Sequence, residues 1–277
     1  MPKRTTSILA AFLAIVAALL APAGAGAGEA IIMQSTTSTQ NSGLLDYLLP
    51  KFTARTGMEV KVVAVGTGQA LKNARNGDGD VLLVHAKKAE EEFVRAGYGV
   101  DRRDVMYNDF VIVCPKGDKA GMAGMKDVTE ALRKIAETGT TFVSRGDDSG
   151  THKKELALWK AAGIDPRKAP GKWYRESGSG MGATLNMAAA MGACTLTDRA
   201  TWIAFGNKGD LRIMVEGDKR LFNQYGVMLV NPKRHPHVKE RQARAFIDWL
   251  TGEEGQRAIA EYRLGGQQLF FPNARRK

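Results

Sequence analysis

The strongest constraint on this chain sits at the ends of its apolar strands. Four short segments with strand character each run directly into a cluster of hydroxyl residues or glycines that opens a helix. Ala30 to Met33 leads into Gln34-Ser35-Thr36-Thr37-Ser38-Thr39, and the β-branched run Val60 to Val65 leads into Gly66-Thr67-Gly68-Gln69. Thr141 to Val143 leads into Ser144-Arg145-Gly146-Asp147-Asp148-Ser149-Gly150-Thr151-His152, and Trp173-Tyr174 into Arg175-Glu176-Ser177-Gly178-Ser179-Gly180-Met181-Gly182. In open α/β sheets the ground beyond the carboxyl ends of the strands is where ligands bind. Helix N-termini there present unpaired N–H groups and the positive end of a dipole, which favour an anion.

The rest of the pattern agrees with an α/β chain. Helical spacing of apolar residues runs over 43–56, where Pro50 marks a kink or an early break. Further helices are read over 69–75, 88–96, 128–137, 153–162, 181–191, 198–205, 237–250 and 253–262, and further strands over 81–84, 110–113, 211–215 and 225–230. Short strands alternating with helices predict βαβ units and mostly parallel sheets. With 277 residues the chain is one large domain or two small ones, and 44% apolar and 25% charged residues exclude a disordered or fibrous protein.

The formal charge of +11 permits anionic partners, yet no run of five like charges and no RNA- or DNA-binding signature accompanies it, so no nucleic-acid partner is expected. Only one long apolar stretch exists, Ile8 to Leu20, preceded by Lys3 and Arg4 and followed by small residues from Ala21 to Gly28. That order is a secretory signal peptide over residues 1–27, with cleavage open after Ala23, Ala25 or Ala27. The stretch is short for a spanning helix, and a multi-pass membrane protein is excluded. The mature chain is therefore expected in an oxidising compartment. Its two cysteines, Cys114 and Cys194, could form one bridge or remain two small buried hydrophobes.

The residue types at the strand ends point to oxyanion binding. Five hydroxyls in a row at 35–39 exceed what one helix cap needs. Thr67 lies in a tight turn that allows close backbone approach. Arg145 offers a planar fork suited to a tetrahedral oxyanion, and Ser149, Gly150 and Thr151 would complete a cage of donors. Asp147 or Asp148 could orient Arg145 or cap the helix. Gly178-x-Gly180-x-Gly182 departs from the dinucleotide spacing and reads as a glycine loop bordering a small-ligand cleft, with Gly180 and Met181 at that border. Asp148-Ser149-Gly150 also resembles the nucleophile segment of serine proteases, but none of the four histidines sits in a recognisable triad context. His235-Pro236-His237 lacks a third metal ligand nearby, so no metal site is expected.

Taken together, the segments STTSTQNSGLLDYLLPKF, VGTGQALKNARNGDGDVLLVHA, YNDFVIV, SRGDDSGTHKKEL, GMGATLNMA, TLTDRATW and YGVMLVNP resemble the periplasmic tungstate-binding proteins that feed ABC importers, over about residues 29–273. The resemblance implies an α/β fold of two lobes, the two-lobed periplasmic binding protein fold, each lobe a mostly parallel sheet flanked by helices, with two crossing strands as hinge. The chain would cross out near Phe110 to Val113 and return near Phe222 to Val230, and the C-terminal helices would rejoin the first lobe. Lobe one is then 28–112 plus 224–277, and lobe two 113–223. The family's hydroxyl motif falls on Thr36, Thr37 and Ser38, with Ser35 in place of its first threonine; its arginine falls on Arg145 and its helix-start threonine on Thr151. Cys114 and Cys194 sit where the resemblance implies other residues. It further implies a non-enzymatic monomer that needs no cofactor, binds tungstate or molybdate between its lobes and delivers it to a membrane permease. Phosphate- or sulfate-binding proteins of the same fold, and a secreted hydrolase using Ser149, are the alternatives.

Overall fold

The computed structural model describes residues 30–168 and 172–275; the expected leader lies outside them. The elements run β1 (Ile31–Thr36), α1 (Thr37–Asn41), α2 (Leu44–Thr56), β2 (Val60–Val65), α3 (Thr67–Asn76), β3 (Val81–Val84), α4 (Lys87–Arg95) and the long β4 (Gly99–Pro115). They continue through α5 (Val128–Thr138), β5 (Phe142–Ser144), α6 (Gly150–Ala161), β6 (Tyr174–Glu176), α7 (Met181–Met191), β7 (Thr195–Asp198), α8 (Arg199–Ala204) and β8 (Leu211–Val215). After a 3-10 turn come β9 (Phe222–Val230), α9 (Glu240–Thr251), α10 (Glu253–Glu261) and three two-residue strands, β10 (Arg263–Leu264), β11 (Gln267–Gln268) and β12 (Phe271–Pro272). Among the described residues no helix is long and apolar enough to cross a membrane.

The α/β class stands, but the sheet is mixed rather than mostly parallel. β1 pairs in parallel with both β2 and β3, whereas β9 runs antiparallel to β3 and to β4. Beyond residue 109, β4 leaves β9 and pairs antiparallel with β7 and β8, while β5 and β6 form a separate parallel pair. The reason is topological: β4 carries the chain out of one lobe and β9 brings it back beside β4, so the two must run in opposite directions.

Each lobe has its own core. The first gathers Ile31, Met33, Leu48, Phe52, Val81 to Val84 and Tyr225 to Val230, and α9 and α10 close it with Phe246, Ile247, Leu250 and Ile259. In the second lobe β4 is buried on both faces. Phe110, Ile112 and Cys114 pack with Val128, Leu132, Phe142 and Trp159; Val111 and Val113 pack with Met181, Leu185 and Trp202. This is the period-two alternation of a strand. Cys114 and Cys194 form a disulfide that ties the end of β4 to the start of β7.

Two local readings differ. Helix α2 runs through Pro50 without ending there, its face of Leu44, Leu45, Leu48 and Phe52 buried. Strand β4 begins at Gly99 rather than near Phe110, because the charged stretch 101–104, unlike a strand in sequence, bulges at Asp101 and Arg102, pairs with β9 through Arg103 and Asp104, and satisfies its charges locally. Arg102 meets Glu90 at 2.8 Å and Asp104 at 2.7 Å, and Arg103 meets Asp248 at 2.7 Å. Burial still pushes the Glu90 carboxyl up to about 7 against the pull of Arg102.

Candidate anion-binding site

Because β1, β2 and β3 are parallel, their carboxyl ends share one edge, which places 36–38, 66–67 and His85 together. The parallel pair β5 and β6 does the same for Arg145 and the 177–180 loop. The two edges face each other. Arg145 is only 1% exposed and is held by its Nε donating to the Ser179 carbonyl at 2.9 Å. Its Nη1 donates to Ser38 Oγ at 3.4 Å and its Nη2 to Thr37 Oγ1 at 3.3 Å, across the cleft. Asp147 accepts a further bond from Nη2, and its other oxygen accepts from the Ser149 N–H at 3.2 Å.

Close backbone approach brings the helix starts together. A Cβ on Gly150 would stand 3.0 Å from Thr67 Oγ1 and 2.9 Å from the His85 carbonyl, so only glycine fits where α6 meets the opposite lobe. A Cβ on Gly180 would lie 3.4 Å from Thr37 Oγ1. The starts of α1, α3, α6 and α7 thus converge on one region. Those of α3 and α7 carry glycine caps without a side-chain hydrogen bond, and in α3 the Gly68 N–H is taken up instead by the Asp148 carbonyl at 3.2 Å. The hydroxyls of Thr67 and Thr151 are fully buried and, among the described residues, have no hydrogen-bond partner. An unpaired buried hydroxyl costs about 1–3 kcal/mol, so two at the starts of α3 and α6 call for an acceptor.

The five hydroxyls of the first cluster divide by role. Ser35 Oγ donates to the Leu83 carbonyl, and Thr36 Oγ1 caps α1 by accepting from the Thr39 N–H while pairing with Thr39 Oγ1. Only Thr37 and Ser38 reach Arg145. In the second cluster Ser149 Oγ caps α6 by accepting from the His152 N–H. Asp148 falls outside the enclosed region: its side chain is 70% exposed and pairs with Lys153. Its backbone explains the displacement, since φ of +56° turns the carboxylate outward while its carbonyl accepts from the Gly68 N–H. Met181 opens α7, but its side chain belongs to the core. Ser149 and His152 are joined only through that cap, and His152 Nδ1 accepts from the Asp148 N–H, so no side-chain nucleophile–base pair forms there.

The floor of the cleft holds polar residues that the strand-end reading missed. His85 Nδ1 lies 3.1 Å from Asn223 Oδ1, Asn223 donates to Asn108 at 2.7 Å, and Asn108 is 3.4 Å from Asp198. All four are buried. Burial lowers the His85 pKa to about 4, aided by the charge of Arg145, so the ring is neutral at pH 7. Burial raises the Asp198 carboxyl, opposed by its bonds to Thr201 and Asn108 and by Arg145. The available signal was weak: Asn108 precedes the apolar run of YNDFVIV beside Asp109, and Asp198 ends TLTD among two threonines. Among the described residues no group of three or more His, Cys, Asp or Glu could hold a metal ion.

Two lobes joined by antiparallel crossing strands, with a buried arginine and orphan hydroxyls between them, define a solute-binding protein shaped for an anion. Comparison with known proteins agrees. The PBP superfamily domain matches residues 21–254. The tungstate-binding protein TupA of Peptoclostridium acidaminophilum is 49% identical over 286 residues, covering 98% of this chain and 99% of the relative. The crystal structure described as the tungstate ABC transporter from Geobacter sulfurreducens is 56% identical with a TM-score of 0.77, covering 84% of this chain and 99% of that one. The tungstate-binding protein TupA of Desulfovibrio alaskensis G20 is 49% identical with a TM-score of 0.75, covering 90% of this chain and all 100% of that one. The chain belongs to the PBP superfamily and, within it, to the family of these TupA proteins.

Proposed function

We propose that this protein is the periplasmic substrate-binding component of an ABC importer, capturing tungstate, and molybdate with it, between its lobes without chemistry. A single observation carries the reading: Arg145 is buried across the cleft from Thr37 and Ser38, while the buried hydroxyls of Thr67 and Thr151, at the starts of α3 and α6, have no partner among the described residues. Tungstate and molybdate are unprotonated dianions at neutral pH and require only donors, which this set supplies. Thr37, Ser38 and Thr67 stand on lobe one, taken as 28–112 plus 224–277, and Arg145, Gly150 and Thr151 on lobe two, taken as 113–223. An anion that touches both walls stabilises the closed arrangement by its differential affinity for it. The closed monomer then delivers its cargo to a membrane permease. The apolar stretch near the N-terminus supports export through a cleaved leader.

A second reading rests on Asp147. Its carboxylate sits on Arg145, where it could accept the proton that phosphate carries and tungstate lacks. Isothermal titration of the dialysed mature protein with tungstate, molybdate, phosphate and sulfate separates the two. Tight one-to-one binding of tungstate with phosphate and sulfate silent is the expected result. Strong phosphate binding without tungstate heat at several temperatures overturns it while leaving the fold assignment intact.

A further inference from the structure

Beside the enclosed site lies a groove of about 950 Å³, far larger than a tetrahedral oxyanion. His85 and Gly150 line it, and a Cβ on Gly150 would stand 3.0 Å from Thr67 Oγ1, so the groove adjoins the anion site across the Gly150 backbone. Its walls are cationic on both lobes. Helix α3 contributes Lys72 and Arg75, the start of α4 Lys87 and Lys88, and α6 Lys153 and Lys154. Among the described residues, Glu92 and Asp148 are the only carboxylates on its lining. Lys72, Arg75, Lys87 and Lys88 are solvent-exposed, so they add to the field at the mouth rather than to a packed core.

A cleft lined by one sign of charge between low-dielectric walls focuses the field and raises association rates of oppositely charged ligands by roughly 10- to 1000-fold. His85 does not add to that charge at neutral pH, since burial holds the ring neutral. Resting on the proposed oxyanion function, we infer that this groove is the port by which dianions reach the cleft, and that its lysines and arginine steer them in. The buried set around Arg145 governs how long the anion stays. The exposed set governs how fast it arrives.

Stopped-flow tryptophan fluorescence of the full mature protein mixed with tungstate tests this. Lys72→Glu/Lys88→Glu reverses charge on both helices at sites without a role in the enclosed cage. The expected result is an association rate about tenfold or more lower at low ionic strength. The dissociation rate should stay unchanged, and the gap should close near about 0.5 M salt, where screening acts within a few ångströms. Lys72→Gln/Lys88→Gln should fall between the two. Lys61→Glu/Arg257→Glu makes the same change in net charge away from the groove and should leave association at the wild-type rate. An unchanged association rate in the groove variant, an effect carried by dissociation, or equal slowing in the distant variant overturns the port while tungstate binding persists. A wild-type protein silent to tungstate removes the oxyanion reading and the port with it.

Discussion

The two walls of the cleft do different jobs with similar residue types. At the enclosed site lobe one presents only neutral groups, the hydroxyls of Thr37, Ser38 and Thr67. Lobe two brings the one buried cation among the described residues at the site, Arg145, and fixes it through Ser179 and Asp147. The lobes differ in support as well. The first rests on a large core closed by α9 and α10, whereas the second divides its apolar residues between the two faces of β4 and adds a disulfide. In the proposed function a charge on one wall only would couple closure to capture, because an anion would meet its full set of partners only when the neutral wall arrives.

The largest effect that could break this comparison comes from Arg145. Arg145→Ala should weaken oxyanion binding by about 2–5 kcal/mol, the cost of truncating one member of a buried charge pair. Titration of the variant checks it, and unchanged affinity would remove Arg145 from the site. Next is the disulfide. Replacing Cys114 and Cys194 together with serine should lower stability by about 2–4 kcal/mol, through the freed unfolded chain, while affinity in the folded protein is retained. Thermal melts with and without tungstate would show it; a variant that loses affinity at full occupancy of the native state would tie the bridge to the site.

Smaller effects sharpen the division among hydroxyls. Thr67→Val and Thr151→Val should each weaken binding by about 1–3 kcal/mol and leave the ligand-free melting temperature equal or higher, because each removes an unpaired buried hydroxyl. Thr36→Val should do the reverse, lowering stability by about 1 kcal/mol through the lost cap of α1 with little change in affinity. If all three variants behave alike, the distinction between capping and ligand hydroxyls fails.

The smallest effect concerns lobe two alone. Glu155 on α6 is buried, accepts from Tyr174 at 2.8 Å and Trp159 at 3.1 Å, and burial pushes its carboxyl up to about 7. A group with a raised folded-state pKa contributes stability below the ordinary carboxylate range and loses it as pH rises through about 7. Wild-type stability should therefore fall between about pH 5 and pH 7 through this group, and Glu155→Gln should flatten that part of the profile. Chemical denaturation across that range measures it; a parallel profile in the variant would place the pH dependence elsewhere.

Much of the fold was legible because its signals are local. The strand at 81–84, the helices that succeed strand ends and the glycines that stop them are read from neighbours in sequence. The first half of β4 was not, because Asp101-Arg102-Arg103-Asp104 joins the strand only through the pairing of Arg103 and Asp104 with β9 and through ion pairs to α4 and α9. The site divides the same way. Arg145 and the hydroxyl clusters stood out by type and spacing. The buried chain from His85 to Asp198 joins residues 90 to 138 positions apart, which no short-range pattern connects.

Sequence by itself determined the α/β alternation, the clusters of donors at the strand ends and Arg145 among them, because chain chemistry and short-range periodicity act between neighbours. Only the tertiary structure decided the rest. It turned Thr36 and Ser149 to capping and left Thr67 and Thr151 unpaired, swung Asp148 out to Lys153, joined Cys114 to Cys194, and ran β4 against β9. The physical reason is that a hydroxyl, a carboxylate or a thiol takes whichever partner lies within hydrogen-bonding or bonding reach, and that is set by which strand ends the sheets bring to a common edge.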